Sequence, residues 1–146
     1  MDKIKVMFLC THNSARSQMA EALLRKYAGD QFEVFSAGLE KTALHPLAGK
    51  VMEELGLDMV GHESKNLDEF LGNINFDYLI TVCANAETRC PFFPGAGNRM
   101  HWPFDDPAAF EGSEKERLVK FRETRDQIAR KIKSWLKEIQ PTHSRL

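Results

Sequence analysis

The sequence predicts an α/β fold: three α/β/α layers around a central, mostly parallel four-stranded sheet. Three observations carry this. Ile4 to Leu9 is a near-continuous apolar run, the mark of a strand buried on both faces of a parallel sheet. Segments of strand character alternate with segments of helix character along the chain, which implies a sheet covered on both faces. The closing segment, Ser113 to Gln140, places Leu118, Phe121, Ile128, Ile132, Trp135, Leu136 and Ile139 at helical spacing.

Taken in order, the first strand empties into a polar loop from Cys10 to Arg16. Ser17 to Tyr27 follows, rich in strong helix formers, with Gly29 as its stop. Phe32 to Ser36 reads as the second strand, leaving through Ala37-Gly38. His45-Pro46 opens a helix with Leu47, Val51, Met52 and Leu55 on one face, stopping near Gly56. Residues 67–71 read as a short helix. Phe76 to Val82 is the third strand, and it also ends at a cysteine, Cys83. Between Asn85 and Asn98, Pro91, Pro94, Gly95 and Gly97 predict a long irregular loop, which in a compact domain is more often functional than idle. A brief fourth strand, Arg99 to Trp102, comes next. Ser113 with Glu116 matches a capping box for the last helix. Residues 1–140 are expected to form a single catalytic domain and 141–146 a loose tail.

With 146 residues, 42% hydrophobic and 28% charged, the chain lies in the globular range. Its net charge of -1 gives no reason to expect nucleic acid or an anionic membrane surface as a partner. Any small-anion site must therefore be made locally, from backbone N–H groups and one or two arginines. The apolar run at the amino terminus is too short for a signal-peptide core or a membrane span, so the chain is expected to be cytoplasmic. The balanced charge suits a monomer. Three cysteines do not describe a disulfide framework, which makes reactive or metal-binding sulfur the more useful question.

Cys10-Thr11-His12-Asn13-Ser14-Ala15-Arg16-Ser17 lies between a strand and a helix. A loop so placed can turn successive N–H groups toward one centre while the helix N-terminus adds partial positive charge. That cradle holds a phosphate-like anion and lowers the pKa of a thiol at its rim. Arg16 supplies a planar fork for two oxygens of a tetrahedral oxyanion. Ser17 or Ser14 is placed to donate a hydroxyl to the sulfur. Cys10 then becomes a nucleophile for covalent chemistry. A short pattern of this kind alone would fit a buried cysteine and a surface arginine; the full strand–turn–helix context favours the cradle. Ligands of parallel sheets bind beyond the carboxyl ends of the strands, where Cys10 and Cys83 both fall. A structural zinc site built from Cys83 and Cys90 with His101 or His12 is disfavoured, because the usual close cysteine pairs are missing.

Cys10 through Ala22, Val34-Phe35-Ser36-Ala37-Gly38, Thr81-Val82-Cys83 through Cys90-Pro91, and His101 through Ala108 stand in that order. Together they resemble four motifs of the low-molecular-weight protein tyrosine phosphatase fold. More narrowly, they resemble the thioredoxin-coupled arsenate reductases built on it. The resemblance implies that Cys10 attacks arsenate, Cys83 attacks Cys10 and releases arsenite, and Cys90 resolves the disulfide for thioredoxin or a related, glutaredoxin-type reductant to reduce. It implies no tightly bound cofactor. Phosphate or sulfate would mimic arsenate in the cradle. Asp106, followed by Pro107, matches the family's general acid, although Asp105 stands beside it and Asp-Asp-Pro is also ordinary turn chemistry. Ala108 and Ala109 follow where the phosphatase branch carries aromatic residues, which speaks against phosphotyrosine. Asn13, Glu21 and Ser36 match positions that bind potassium in part of the family; Lys65 stands where those members carry an aspartate, so its ammonium is expected to replace the ion. His62 also matches a family position and is given no catalytic role. The alternatives are a phosphatase acting through a Cys10 phospho-enzyme, and a non-catalytic anion-binding or thiol-switch module.

Overall fold

In a computed structural model, residues 3–13, 15–40, 43–59, 62, 64–70, 74–84, 86 and 96–143 are described. The elements run β1 (Ile4–Cys10), α1 (Arg16–Ala28), β2 (Phe32–Gly38), α2 (Pro46–Glu53), β3 (Phe76–Thr81), β4 (Ala96–His101) and α3 (Glu114–His143). Two short 3-10 turns, Leu67–Glu69 and Pro107–Ala109, interrupt the connections. All neighbouring strands pair in parallel, in the order β2-β1-β3-β4. The expected three-layer architecture with a four-stranded sheet is what the chain forms.

β1 is central because its side chains have neighbours on both faces: Val6, Met7, Phe8 and Leu9 are all fully buried. Each such side chain contributes about 1.5–3 kcal/mol on leaving water. Trp135 of α3 meets Phe32, Tyr78 and Trp102, so α3 covers the face to which Phe32 and Tyr78 point. α1 packs against β1, β2 and α3, and α2 rests on α3. Phe35 is out of phase with Phe32 in the strand alternation and faces the other way. There it meets Phe70 and Phe76 edge-on, and the turn Leu67–Glu69 delivers Phe70 to that cluster.

Several boundaries differ from those read off the sequence. β1 and β2 run on to Cys10 and Gly38, because they pair with each other along their whole length. Residues 67–69 form a 3-10 turn in place of a short helix, closed by a reciprocal capping box between Asn66 and Glu69. The fourth strand begins at Ala96, inside the expected irregular loop, since Phe76 takes Ala96 as its partner. α3 extends to His143, three residues into the segment expected to be loose. Its Ser113–Glu116 capping box forms as expected, with Glu116 N–H donating to Ser113 Oγ at 3.2 Å and Ser113 N–H to Glu116 Oε1 at 3.1 Å. No helix among the described residues is long and apolar enough to cross a membrane.

Candidate active site at the strand ends

The loop after β1 is held from behind, and the direction of each bond matters. The Cys10 carbonyl accepts from Leu39 N–H (3.2 Å), and the Thr11 carbonyl from Glu40 N–H (2.8 Å). The His12 carbonyl accepts from Ser64 Oγ (2.8 Å), and the Asn13 carbonyl from Gln18 Nε2 (2.6 Å). Four successive carbonyls are thus tied to surrounding structure, which keeps their negative ends out of the cradle. Asn13 adopts φ 54°, the left-handed conformation that lets consecutive N–H groups converge. Its side chain is committed too: Nδ2 donates to Ser17 Oγ at 2.8 Å, and Oδ1 accepts from Lys65 N–H at 2.7 Å.

β2 reaches the loop through Gly38. A Cβ there would lie 2.7 Å from Asn13 N and His12 C and 2.9 Å from Thr11 O, so only glycine permits the approach. At the other end of the loop, α1 begins with Ala15 as its cap, and no side chain among the described residues caps it. Its first turn carries no acidic residue. The free N–H groups and the positive end of the helix therefore face the loop.

Cys10 and Cys83 end neighbouring strands and are 3% and 5% exposed. Both are free thiols, and each is the largest influence on the other's acidity. Thr11 Oγ1 lies 3.3 Å from the Cys83 sulfur, and Ala86 N–H donates to it at 3.4 Å. The two thiols are shifted in opposite directions as a result. The hydrogen bond from Cys10, then those from Thr11 and Ala86 and the charge of Arg16, bring Cys83 down to about 5 against the cost of burial. Cys83 and burial push Cys10 up more than Arg16 and the backbone N–H of Asn13 pull it down, so beside Cys83 it is raised and not lowered as the cradle alone would have it. The two sulfurs titrate as a pair, with the first negative charge settling on Cys83.

Arg16 is 12% exposed at its side chain; Nη1 donates to the Phe104 carbonyl at 3.0 Å and Nη2 lies 3.7 Å from Asp106 Oδ2. The guanidinium thereby joins the start of α1 to the segment after β4. Asp106, not Asp105, reaches Arg16, and its Oδ1 also caps the turn Pro107–Ala109 by accepting from Ala108 N–H.

Glu21 is buried and would be costly there without partners. Ser36 Oγ donates to its Oε1, Arg25 Nη2 to its Oε2 at 2.6 Å, and Lys65 Nζ stands 3.7 Å from Oε1. Asn13, Glu21, Ser36 and Lys65 do come together, but around an ammonium and a guanidinium. This cluster does not fit a potassium ion, because its anionic ligand is already neutralised by the chain's own cations.

Not every expected contact forms. Ser17 hydroxyl is engaged with Asn13, and the hydroxyl that reaches sulfur is that of Thr11, on Cys83. Ala15 is buried at the helix start, and the His12 ring points outward to Glu40 at 3.9 Å. Ser14 and Cys90 lie outside the described residues. His101 Nδ1 pairs with Thr81 Oγ1 at 2.8 Å, which ties it into the sheet. Sequence reasoning overlooked Gln18, Arg25, Ser64 and the sulfur contact of Thr11. Gln18 stands five positions from Asn13, but its burial and its bond to the Asn13 carbonyl show only in the fold. Among the described residues, no three His, Cys, Asp or Glu side chains are placed to hold a metal ion.

The family model described as low molecular weight phosphotyrosine protein phosphatase matches residues 5–145. The arsenate reductase of Halalkalibacterium halodurans is 43% identical over 135 residues, spanning 92% of this chain and 96% of that protein. A solved structure described as an arsenate reductase in the phosphate binding state superposes with a TM-score of 0.79 at 31% identity, covering 93% of this chain and 98% of the other. The thioredoxin-dependent arsenate reductase of Corynebacterium glutamicum superposes with a TM-score of 0.71 at 31% identity, covering 96% of this chain and 63% of the other.

Proposed function

The chain belongs to the low molecular weight phosphotyrosine protein phosphatase family, and within it we propose that it reduces arsenate to arsenite through a relay of three thiols. The observation that carries this reading is the pair of buried free thiols, Cys10 and Cys83, beside Arg16 at the ends of adjacent strands. A phosphatase needs the first sulfur only. The arsenate reductases similar to this chain support the substrate, and the thioredoxin-dependent relative supports the reductant.

In the proposed sequence, arsenate is held by loop N–H groups, the α1 N-terminus and the Arg16 fork. The Cys10 proton passes to the neighbouring Cys83 thiolate, so the nucleophile forms without an outside base. Cys10 sulfur attacks arsenic(V), and Asp106 protonates the departing oxygen, which leaves as water. Cys83 then gives its proton to solvent, and its thiolate attacks the Cys10 sulfur. The sulfur–arsenic bond breaks with its electron pair on arsenic, arsenite leaves, and a Cys10–Cys83 disulfide remains. Cys90 thiolate then attacks Cys83 and frees Cys10, and the Cys83–Cys90 disulfide passes its oxidation to the thioredoxin dithiol. Lys65 and Arg25 occupy the role of a bound cation beside Glu21, so potassium is not required. We place the protein in the cytoplasm as a monomer.

The test couples the reduced protein to arsenate, thioredoxin, thioredoxin reductase and NADPH, with Cys10→Ser, Cys83→Ser and Cys90→Ser beside the wild type. Arsenate-dependent NADPH oxidation that needs all three cysteines is expected. No oxidation, with para-nitrophenyl phosphate still hydrolysed through Cys10, would assign the protein to phosphoester hydrolysis.

A further inference from the structure

Gln18 lies in the first turn of α1, fully buried, among Ser17, Met19 and Ala20. Its amide nitrogen donates to the Asn13 carbonyl at 2.6 Å. Its amide oxygen is buried and accepts no hydrogen bond among the described residues. A buried amide with half its capacity unmet is a liability in a core, where an apolar side chain of similar length would have none. The nitrogen therefore explains the residue, and it serves one atom.

That atom is the last of the four outward-tied carbonyls. Those of Cys10 and Thr11 are secured by backbone N–H groups of the chain leaving β2, and that of His12 by Ser64. Asn13 alone is left-handed, and its carbonyl alone is secured from the helix whose N-terminus faces the anion. Released, this carbonyl is free to rotate toward the cradle, where its negative end would oppose an oxyanion. We propose that Gln18 is a positioning residue for oxyanion binding: its amide holds the Asn13 carbonyl out of the cradle, at the expense of an unmet acceptor in the core. The inference rests on the cradle being the oxyanion site, though not on what happens to the oxyanion afterwards.

Gln18→Met removes the donor and the unmet acceptor together while nearly keeping the volume. Phosphate serves as probe, measured by titration calorimetry on the fully reduced protein, with thermal melts recorded without phosphate. A residue that merely fills the core would lower the melting temperature and leave phosphate affinity alone. The positioning role gives the reverse: a melting temperature equal to or above wild type, and phosphate binding weakened about tenfold, the scale of one amide–carbonyl hydrogen bond. Gln18→Leu likewise removes the donor and the unmet acceptor, and it should weaken phosphate binding to the same degree. Phosphate affinity within twofold of wild type in either folded variant overturns the proposal. Failure of both variants to fold also overturns it, since Gln18 would then be a core residue. A wild type that binds no phosphate would instead refute the cradle itself.

Discussion

Replacing Cys10 with alanine should move the titration of Cys83 upward by about one to two pH units. The Cys83 thiol is held at about 5, and the largest of the causes is the hydrogen bond from Cys10. A hydrogen bond to a charged group is worth about 1.5–3 kcal/mol, and one pKa unit corresponds to about 1.4 kcal/mol. Thr11, the Ala86 N–H and Arg16 remain after the substitution and continue to favour the thiolate, so the midpoint should settle at about 6–7 and stay below that of a free thiol. At pH 6 the thiolate fraction of Cys83 would fall from about nine-tenths to between about one half and one tenth. Iodoacetamide alkylation as a function of pH, read by mass spectrometry in a Cys90→Ser background, isolates this sulfur. A midpoint that does not move, or moves down, would show that Cys10 is not the donor. The converse variant supplies a second check. In Cys83→Ala, Cys10 loses the main influence holding it up and keeps Arg16 and the Asn13 N–H, so its midpoint should fall. A Cys10 that stayed above an ordinary thiol in that variant would contradict an activating cradle.

Three further outcomes follow from the same geometry. Gly38→Ala should cost about 1–3 kcal/mol in urea unfolding, because the added methyl meets backbone atoms of the loop that cannot swing aside; unchanged stability would mean that the loop yields more readily than its bonds suggest. Arg16→Lys keeps the charge but loses the planar fork and the bond to Phe104, and phosphate calorimetry should register a loss of about 1.5–3 kcal/mol. Equal affinity there would make charge alone sufficient. Replacing sodium by potassium in the coupled assay should leave the rate unchanged, since Lys65 and Arg25 already neutralise Glu21; a several-fold acceleration would refute that account.

What could be read from the sequence is what is local. β1 announces itself by an unbroken apolar run, and the loop after it by the residue types at its two ends. Cys10 and Arg16 are six positions apart, and a strand–turn–helix passage is enough to bring them to one anion. β4 was misplaced for an equally physical reason. Gly97 and Asn98 are poor strand formers, but pairing with β3 overrides propensity, and at Gly97 a Cβ would stand 3.2 Å from the Asp77 carbonyl. The supports of the loop lay beyond local reading. Ser64 and Lys65 meet His12 and Asn13 from more than fifty positions away, and Thr11 finds the Cys83 sulfur from still further. No periodicity encodes such contacts; they exist only once the strands are in register. Gln18 is the intermediate case, close in sequence to Asn13 but made meaningful only by the left-handed turn between them.

The two sulfurs that end β1 and β3 have one further property. They are far apart along the chain, and the largest influence on each comes from the other, with the Thr11 hydroxyl also acting on Cys83, all of it present only once the sheet has formed. A chain that has lost its fold carries three commonplace thiols, each protonated at neutral pH and slow to react. Chemical appetite is thus confined to molecules that are correctly built. Damage to the protein disarms it, and an aged or half-assembled copy is a poor scavenger of stray electrophiles and a poor partner for unwanted disulfides.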